Sequence, residues 1–145
     1  MMGLDIGSRT IGVAISDELE ITAQGLKTIK RKSTEEDLTE IKTIISEYEI
    51  NKIVVGLPTN MDGTQGKMAE TVFQWIEAFK ERVNLPVVTW DERLTTVQAS
   101  KILLEADLSR RKRKKVIDKL AAVLILQGYL DHSRKRHGKS LLLSM

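Results

Sequence analysis

Residues 2–16 run Met2-Gly3-Leu4-Asp5-Ile6-Gly7-Ser8-Arg9-Thr10-Ile11-Gly12-Val13-Ala14-Ile15-Ser16. Two apolar stretches, Met2–Ile6 and Ile11–Ser16, flank the turn Gly7-Ser8-Arg9, which is the pattern of paired strands. A third strand over about Gln24–Ile29 would complete an antiparallel meander. Asp5 interrupts the first strand between Leu4 and Ile6. A carboxylate in a central strand is costly unless it is paired or holds a metal ion. Gly7 and Gly12 allow close backbone approach, and Arg9 can grip a phosphate through a two-pronged fork.

Downstream, Ser33 or Thr34 with Glu36 or Asp37 caps a helix whose apolar positions are Leu38, Ile41, Ile44 and Ile45. Lys52-Ile53-Val54-Val55-Gly56-Leu57 is a continuous apolar run suited to a buried strand, and Pro58 ends it. The polar segment Thr59–Gly66 leads to a second helix containing Val72, Trp75, Ile76 and Phe79. A fifth strand covers Leu85–Trp90 and ends at Asp91-Glu92-Arg93. A third helix is expected from about Thr95 to Ala106. A fourth, Val116–Leu130, is apolar almost all round and reads as buried. Strands four and five, joined by a helix, should lie parallel through a right-handed crossover. The fold class is therefore α/β: a mixed five-stranded sheet, three antiparallel strands then a βαβ unit, with helices on both faces. Residues 1–133 read as the domain and 134–145 as a basic C-terminal tail.

The 145 residues include no cysteine, which excludes disulfides, thiolate zinc sites and a cysteine nucleophile. No apolar run is long enough to cross a membrane and no signal peptide is visible, so no membrane partner and a cytoplasmic location are expected. Charge is divided unevenly. Residues 1–100 hold 11 Lys/Arg against 16 Asp/Glu, and residues 101–145 hold 12 against 4. A polyanion partner near the C-terminal third follows from that asymmetry. With two Phe, two Tyr and two Trp, base stacking has few rings to use, so nucleic acid would be held mainly by its phosphates. Trp75 and Trp90 read as core, His132 and His137 as solvated surface.

Three acids stand where a purely structural carboxylate is out of place. These are Asp5, Glu92 at the end of the fifth strand, and Asp118, which shares a helix face with Ala121, Ala122 and Ile125. Each has a plain alternative: a turn aspartate for Asp5, a partner in Arg93 or a cap on the following helix for Glu92, and Lys114 or Lys115 for Asp118. Converging, they would form an oxygen-ligand site for Mg²⁺ or Mn²⁺ able to activate water against a phosphodiester. Six consecutive cations, Arg110, Arg111, Lys112, Arg113, Lys114 and Lys115, precede Asp118 and suit phosphate tracking, with a solvated charge run as the alternative.

Five segments together resemble a known family. They are Gly3–Gly7, Gly12–Asp17, Gly56-Leu57-Pro58 with Asn60 and Gly63, Asp91–Thr96, and Lys115–Ala122. The resemblance, from Gly3 to about Leu130, is to the YqgF (RuvX-type) family of ribonuclease H-like proteins. It implies a ribonuclease H-like fold and metal-dependent hydrolysis of RNA in maturation of the 16S rRNA 5′ end. Asp5, Glu92 and Asp118 would be the catalytic and metal-binding acids. Arg9, Arg93 and residues 110–115 would position the nucleic-acid backbone. Precursor 16S rRNA, within a ribosomal particle or alone, is the implied partner; the alternatives are a Holliday-junction resolvase-like endonuclease acting on branched DNA, and a non-catalytic nucleic-acid-binding module. Monomer and homodimer both remain open. Junction resolvases of this superfamily carry further acids where this chain has Gly56-Leu57-Pro58 and Ala121.

Overall fold

The computed structural model describes residues 1–58, 66–91 and 120–134. Five strands form one sheet: β1 (Met2–Ile6), β2 (Thr10–Ser16), β3 (Ala23–Lys30), β4 (Ile53–Leu57) and β5 (Val87–Asp91). Helix α1 (Thr34–Glu47) lies between β3 and β4, and α2 (Lys67–Arg82) between β4 and β5. Residues 120–134 are helical and are here called α3. The expected third helix over Thr95–Ala106 lies outside the described residues.

The order across the sheet is β3-β2-β1-β4-β5, so β1 is central. It pairs antiparallel with β2 and parallel with β4, while β4 and β5 are also parallel. The mixed sheet expected from the spacing of the strands is thus present. A register irregularity at Val13/Ala14 interrupts the β2–β3 ladder.

Side-chain alternation explains how two helical layers share one sheet. Met2, Leu4, Ile6, Ile11, Val13, Ile53 and Val55 face α1 and α2, burying Leu38, Ile41, Val72, Trp75 and Phe79 with them. Trp75 and Phe79 stack with ring centroids 5.5 Å apart. The opposite face presents Ala14 and Val54 to Ala122, Ile125, Leu126 and Leu130 of α3. Each large aliphatic side chain buried in these layers contributes roughly 1.5–3 kcal/mol.

Local signals agree with the layers. The Ser33 hydroxyl caps α1 by accepting from the Glu36 N–H at 3.1 Å, and Glu35, Glu36 and Asp37 place acid at the positive end of the helix. Lys80 and Arg82 occupy the last turn of α2. Two sequence expectations change in degree. In α3, Ala121, Ala122, Ile125, Leu126 and Leu130 are buried, but Val123 and Leu124 are only half-buried, because a single helix face meets the sheet. Trp75 is core, whereas Trp90 is half-buried at the outer strand β5, its indole against the Gly128 backbone.

Candidate active site on the central strand

Alternation sends Leu4 and Ile6 towards α1 and α2, and so sends Gly3 and Asp5 towards α3. Asp5 is half-buried near the C-terminal end of β1. Its partner on β2 is Gly12, and one step beyond the Leu4–Val55 pair its neighbour on β4 is Gly56. Extended outward, the row reads Thr28, Gly12, Asp5, Gly56, Trp90. The carboxylate is therefore flanked on its own face by two residues without side chains. Trp90 closes the row at β5, edge-on to Tyr129 at 6.3 Å and 5.7 Å from the exposed His132 ring.

The turn after β1 is tightly held. Gly7 N–H donates to the Thr10 carbonyl at 2.8 Å, and a Cβ on Gly7 would stand 2.9 Å from that same oxygen. This close approach is what requires glycine there. Ser8 and Arg9 project from the turn, both exposed, two strands from the β3 edge.

Helix α3 runs antiparallel to β1. Leu130 lies with Met1 at the start of β1, while Leu126 and Ala122 lie against Gly3. Gln127 ties this helix to the β2–β3 loop, accepting from Ala23 N–H at 2.9 Å and donating to the Ile21 carbonyl at 2.9 Å. Lys52 hydrogen-bonds the Tyr129 hydroxyl and lies 4.9 Å from its ring centroid.

Of the residues expected to act, Asp5 and Arg9 are described and stand at the same end of the sheet. Glu92, Arg93, Arg110, Arg111, Lys112, Arg113, Lys114, Lys115 and Asp118 lie outside the described residues, as does His137. Among the described residues no three Asp, Glu or His side chains gather as a metal cluster, and no helix is long and apolar enough to cross a membrane. Asp5 has the hard oxygen donor that Mg²⁺ or Mn²⁺ takes, on a strand position bordered by glycines. The residue fits such an ion; Glu92 and Asp118, the acids expected to join it, lie outside the described residues.

The opposite end of the sheet has a different electrostatic character. A cleft of about 610 Å³ there is lined by Ser16, Asp17, Glu18, Glu20, Glu47 and Glu49 among others. Its carboxylates give that end a negative field, which disfavours a polyanion there. At the Asp5 end the sequence reading passed over Lys30-Arg31-Lys32. A run of three cations at the end of a strand was the available signal.

Comparison with known proteins accords with this arrangement. A family model described as RuvX: Holliday junction resolvase matches residues 1–132. A protein of Desulforamulus reducens named "Putative pre-16S rRNA nuclease" is 57% identical over 135 residues, spanning 93% of this chain and 98% of its own. One of the same name from Clostridium botulinum is 58% identical with the same coverage. In fold, the chain resembles the RuvC protein of T. thermophilus solved with a Holliday junction substrate, at a TM-score of 0.54 and 13% identity. That match covers 92% of this chain and 94% of the other. A Fowlpox virus resolvase is similar at a TM-score of 0.54 and 14% identity, covering 91% and 98%. The sheet is thus of the ribonuclease H-like kind, and the chain belongs to the RuvX family.

Proposed function

We propose that this protein is a metal-dependent nuclease that hydrolyses RNA phosphodiesters in maturation of the 16S rRNA 5′ end. The observation that carries the proposal is Asp5: a half-buried carboxylate on the central strand of a RuvX-family chain, with glycine on either side. The names of relatives at 57 and 58% identity support the choice of substrate.

Asp5, Glu92 and Asp118 would hold Mg²⁺ or Mn²⁺. Two features support that set. Alternation along β5 puts Val88 and Trp90 on the α3 face, and Glu92 continues that series in the sequence. Leu130, Leu126 and Ala122 step back along β1 towards Asp5, and Asp118 is the next member at the same four-residue interval. When bound, the ion would lower the pKa of the attacking water and stabilise the leaving oxygen. Arg9, on its braced turn, would hold a phosphate oxygen and align the strand. Arg93 and residues 110–115 would engage flanking phosphates. Any action takes place in the cytoplasm, where precursor rRNA is found.

The test is cleavage of a precursor 16S 5′-end RNA, beside a four-way DNA junction, in Mg²⁺ and in Mn²⁺. RNA cutting that is abolished by EDTA and by Asp5→Asn is the expected result. Cutting of the junction alone would replace this reading with a resolvase. Buried Ala121 and Gly56, at positions where resolvases place acids, weigh against that outcome.

A further inference from the structure

The β2–β3 ladder carries Lys30-Arg31-Lys32 back to the turn beside Asp5. Arg31 N–H donates to the Arg9 carbonyl at 2.8 Å, and Lys30 stands opposite Thr10. The Arg31 guanidinium makes two further contacts: Nη1 donates to the Gly7 carbonyl at 3.0 Å, and Nε pairs with Asp37 Oδ2 at 3.3 Å. The other Asp37 oxygen accepts the Lys32 N–H at 3.1 Å. Asp37 is only 2% exposed. One buried carboxylate thus fastens the β1–β2 turn and the end of β3 to the first turn of α1, and the charge of Arg31 is spent inside that frame.

Three cations remain outside it. Arg9, Lys30 and Lys32 are all exposed. The ion pairs among the described residues take Lys27, Arg31, Arg82 and Arg134 and none of these three. Alternation decides where Lys30 points. Lys27 faces α1, where it pairs with Glu40 at 2.7 Å, while Thr28 and Lys30 share the face of Gly12, Thr10 and Asp5. With about 4.8 Å between strands and about 3.3 Å per residue, the Lys30 and Asp5 backbones are roughly 12 Å apart. That separation brings the ammonium to a phosphate flanking one bound at Asp5.

We infer that Arg9, Lys30 and Lys32 form a phosphate-binding track on the β3 side of Asp5, framed by the Arg31–Asp37 pair, for the sugar-phosphate backbone next to the scissile bond. The inference rests on the nuclease reading above and adds to it a second basic surface, distinct from residues 110–115. It takes phosphates rather than bases, since Arg9, Lys30 and Lys32 offer cations and no ring.

The test is RNA binding in EDTA, where no cleavage occurs, followed by fluorescence anisotropy of a labelled precursor 16S 5′-end RNA at several salt concentrations. A four-way DNA junction serves as the second probe. Each lost phosphate contact lowers the salt slope by roughly 0.7 for single-stranded and 0.9 for duplex nucleic acid. Lys30→Ala with Lys32→Ala should therefore flatten the slope by roughly 1.4–1.8 and weaken binding several-fold. Lys30→Arg with Lys32→Arg, which keeps both charges, should retain the wild-type slope, and Lys27→Ala, on the other face, should leave it unchanged. A slope unaltered in the double variant, with wild-type protein still binding and cutting RNA, overturns the track and leaves the nuclease reading standing. Wild-type protein that neither binds nor cuts either probe overturns both.

Discussion

Gly3 of β1 and Leu126 of α3 approach so closely that a Cβ on Gly3 would stand 2.7 Å from Leu126 Cβ and 3.0 Å from the Ala122 carbonyl oxygen. The second contact is helix backbone and cannot rotate away. Gly3→Ala should force α3 off the sheet and destabilise the protein by about 1–3 kcal/mol. At about 2–4 °C per kcal/mol for a chain of this size, a thermal melt resolves the change. An unaltered Tm would mean that the helix shifts at no cost.

Helix α1 ends in a left-handed residue that is not glycine. Glu49 has φ 50°, and the Ile50 N–H returns to the Ile45 carbonyl at 3.0 Å, closing a Schellman motif. The left-handed conformation strains a residue with a Cβ, an effect partly offset by the greater freedom glycine has when unfolded. Glu49→Gly should raise stability by up to about 1 kcal/mol. Chemical denaturation should show a higher midpoint at unchanged slope.

Removing one partner from the Arg31–Asp37 pair should be worse than removing both. With Asp37 2% exposed and Arg31 at 18%, Arg31→Met leaves a buried carboxylate without its cation, at a cost of about 3–5 kcal/mol. Arg31→Met combined with Asp37→Leu should recover part of that loss. A double-mutant cycle by urea unfolding measures the coupling, and strict additivity would show that the pair does not act as a unit.

Asp17 should make the β2–β3 loop sensitive to acid. Its carboxylate accepts the Thr22 N–H at 2.9 Å and the Ile21 N–H at 2.7 Å, and the Thr22 bond foremost holds its pKa below the ordinary value. A depressed folded pKa contributes stability above the unfolded value, about 3.9, and loses it as pH falls through the folded one. The Ile21 and Thr22 amide resonances should therefore move together below about pH 4. Asp17→Asn should abolish that titration, and an unchanged titration would assign it to another acid.

Much of this architecture is legible in the chain because period-two patterning is local. Leu4, Asp5 and Ile6 announce a strand with one polar position, and Ser33 with Glu36 announces a helix start. The pairing of Arg31 with Asp37 is not legible: six residues separate them across a strand end and a helix cap, and only the folded path of the turn makes them neighbours. The same holds for Lys30, whose face depends on the β2–β3 register and on the irregularity at Val13/Ala14. Asp5 stands out as a candidate site residue because it breaks an apolar pattern. Its glycine neighbours Gly12 and Gly56 come from strands far apart in sequence, and only the sheet aligns them.

Among the described residues, β3 ends the sheet on one side and exposes its free edge. Unpaired strand edges invite other chains to add on and aggregate. Lys27 and Lys30 project from opposite faces of β3, and the irregular register opposite Val13/Ala14 bends the ladder there. A second molecule approaching that edge meets the Lys27–Glu40 ion pair on one face and the exposed Lys30 on the other, beside a ladder whose register shifts. Charged side chains on both faces and an irregular register are features that disfavour pairing of an edge strand with another chain.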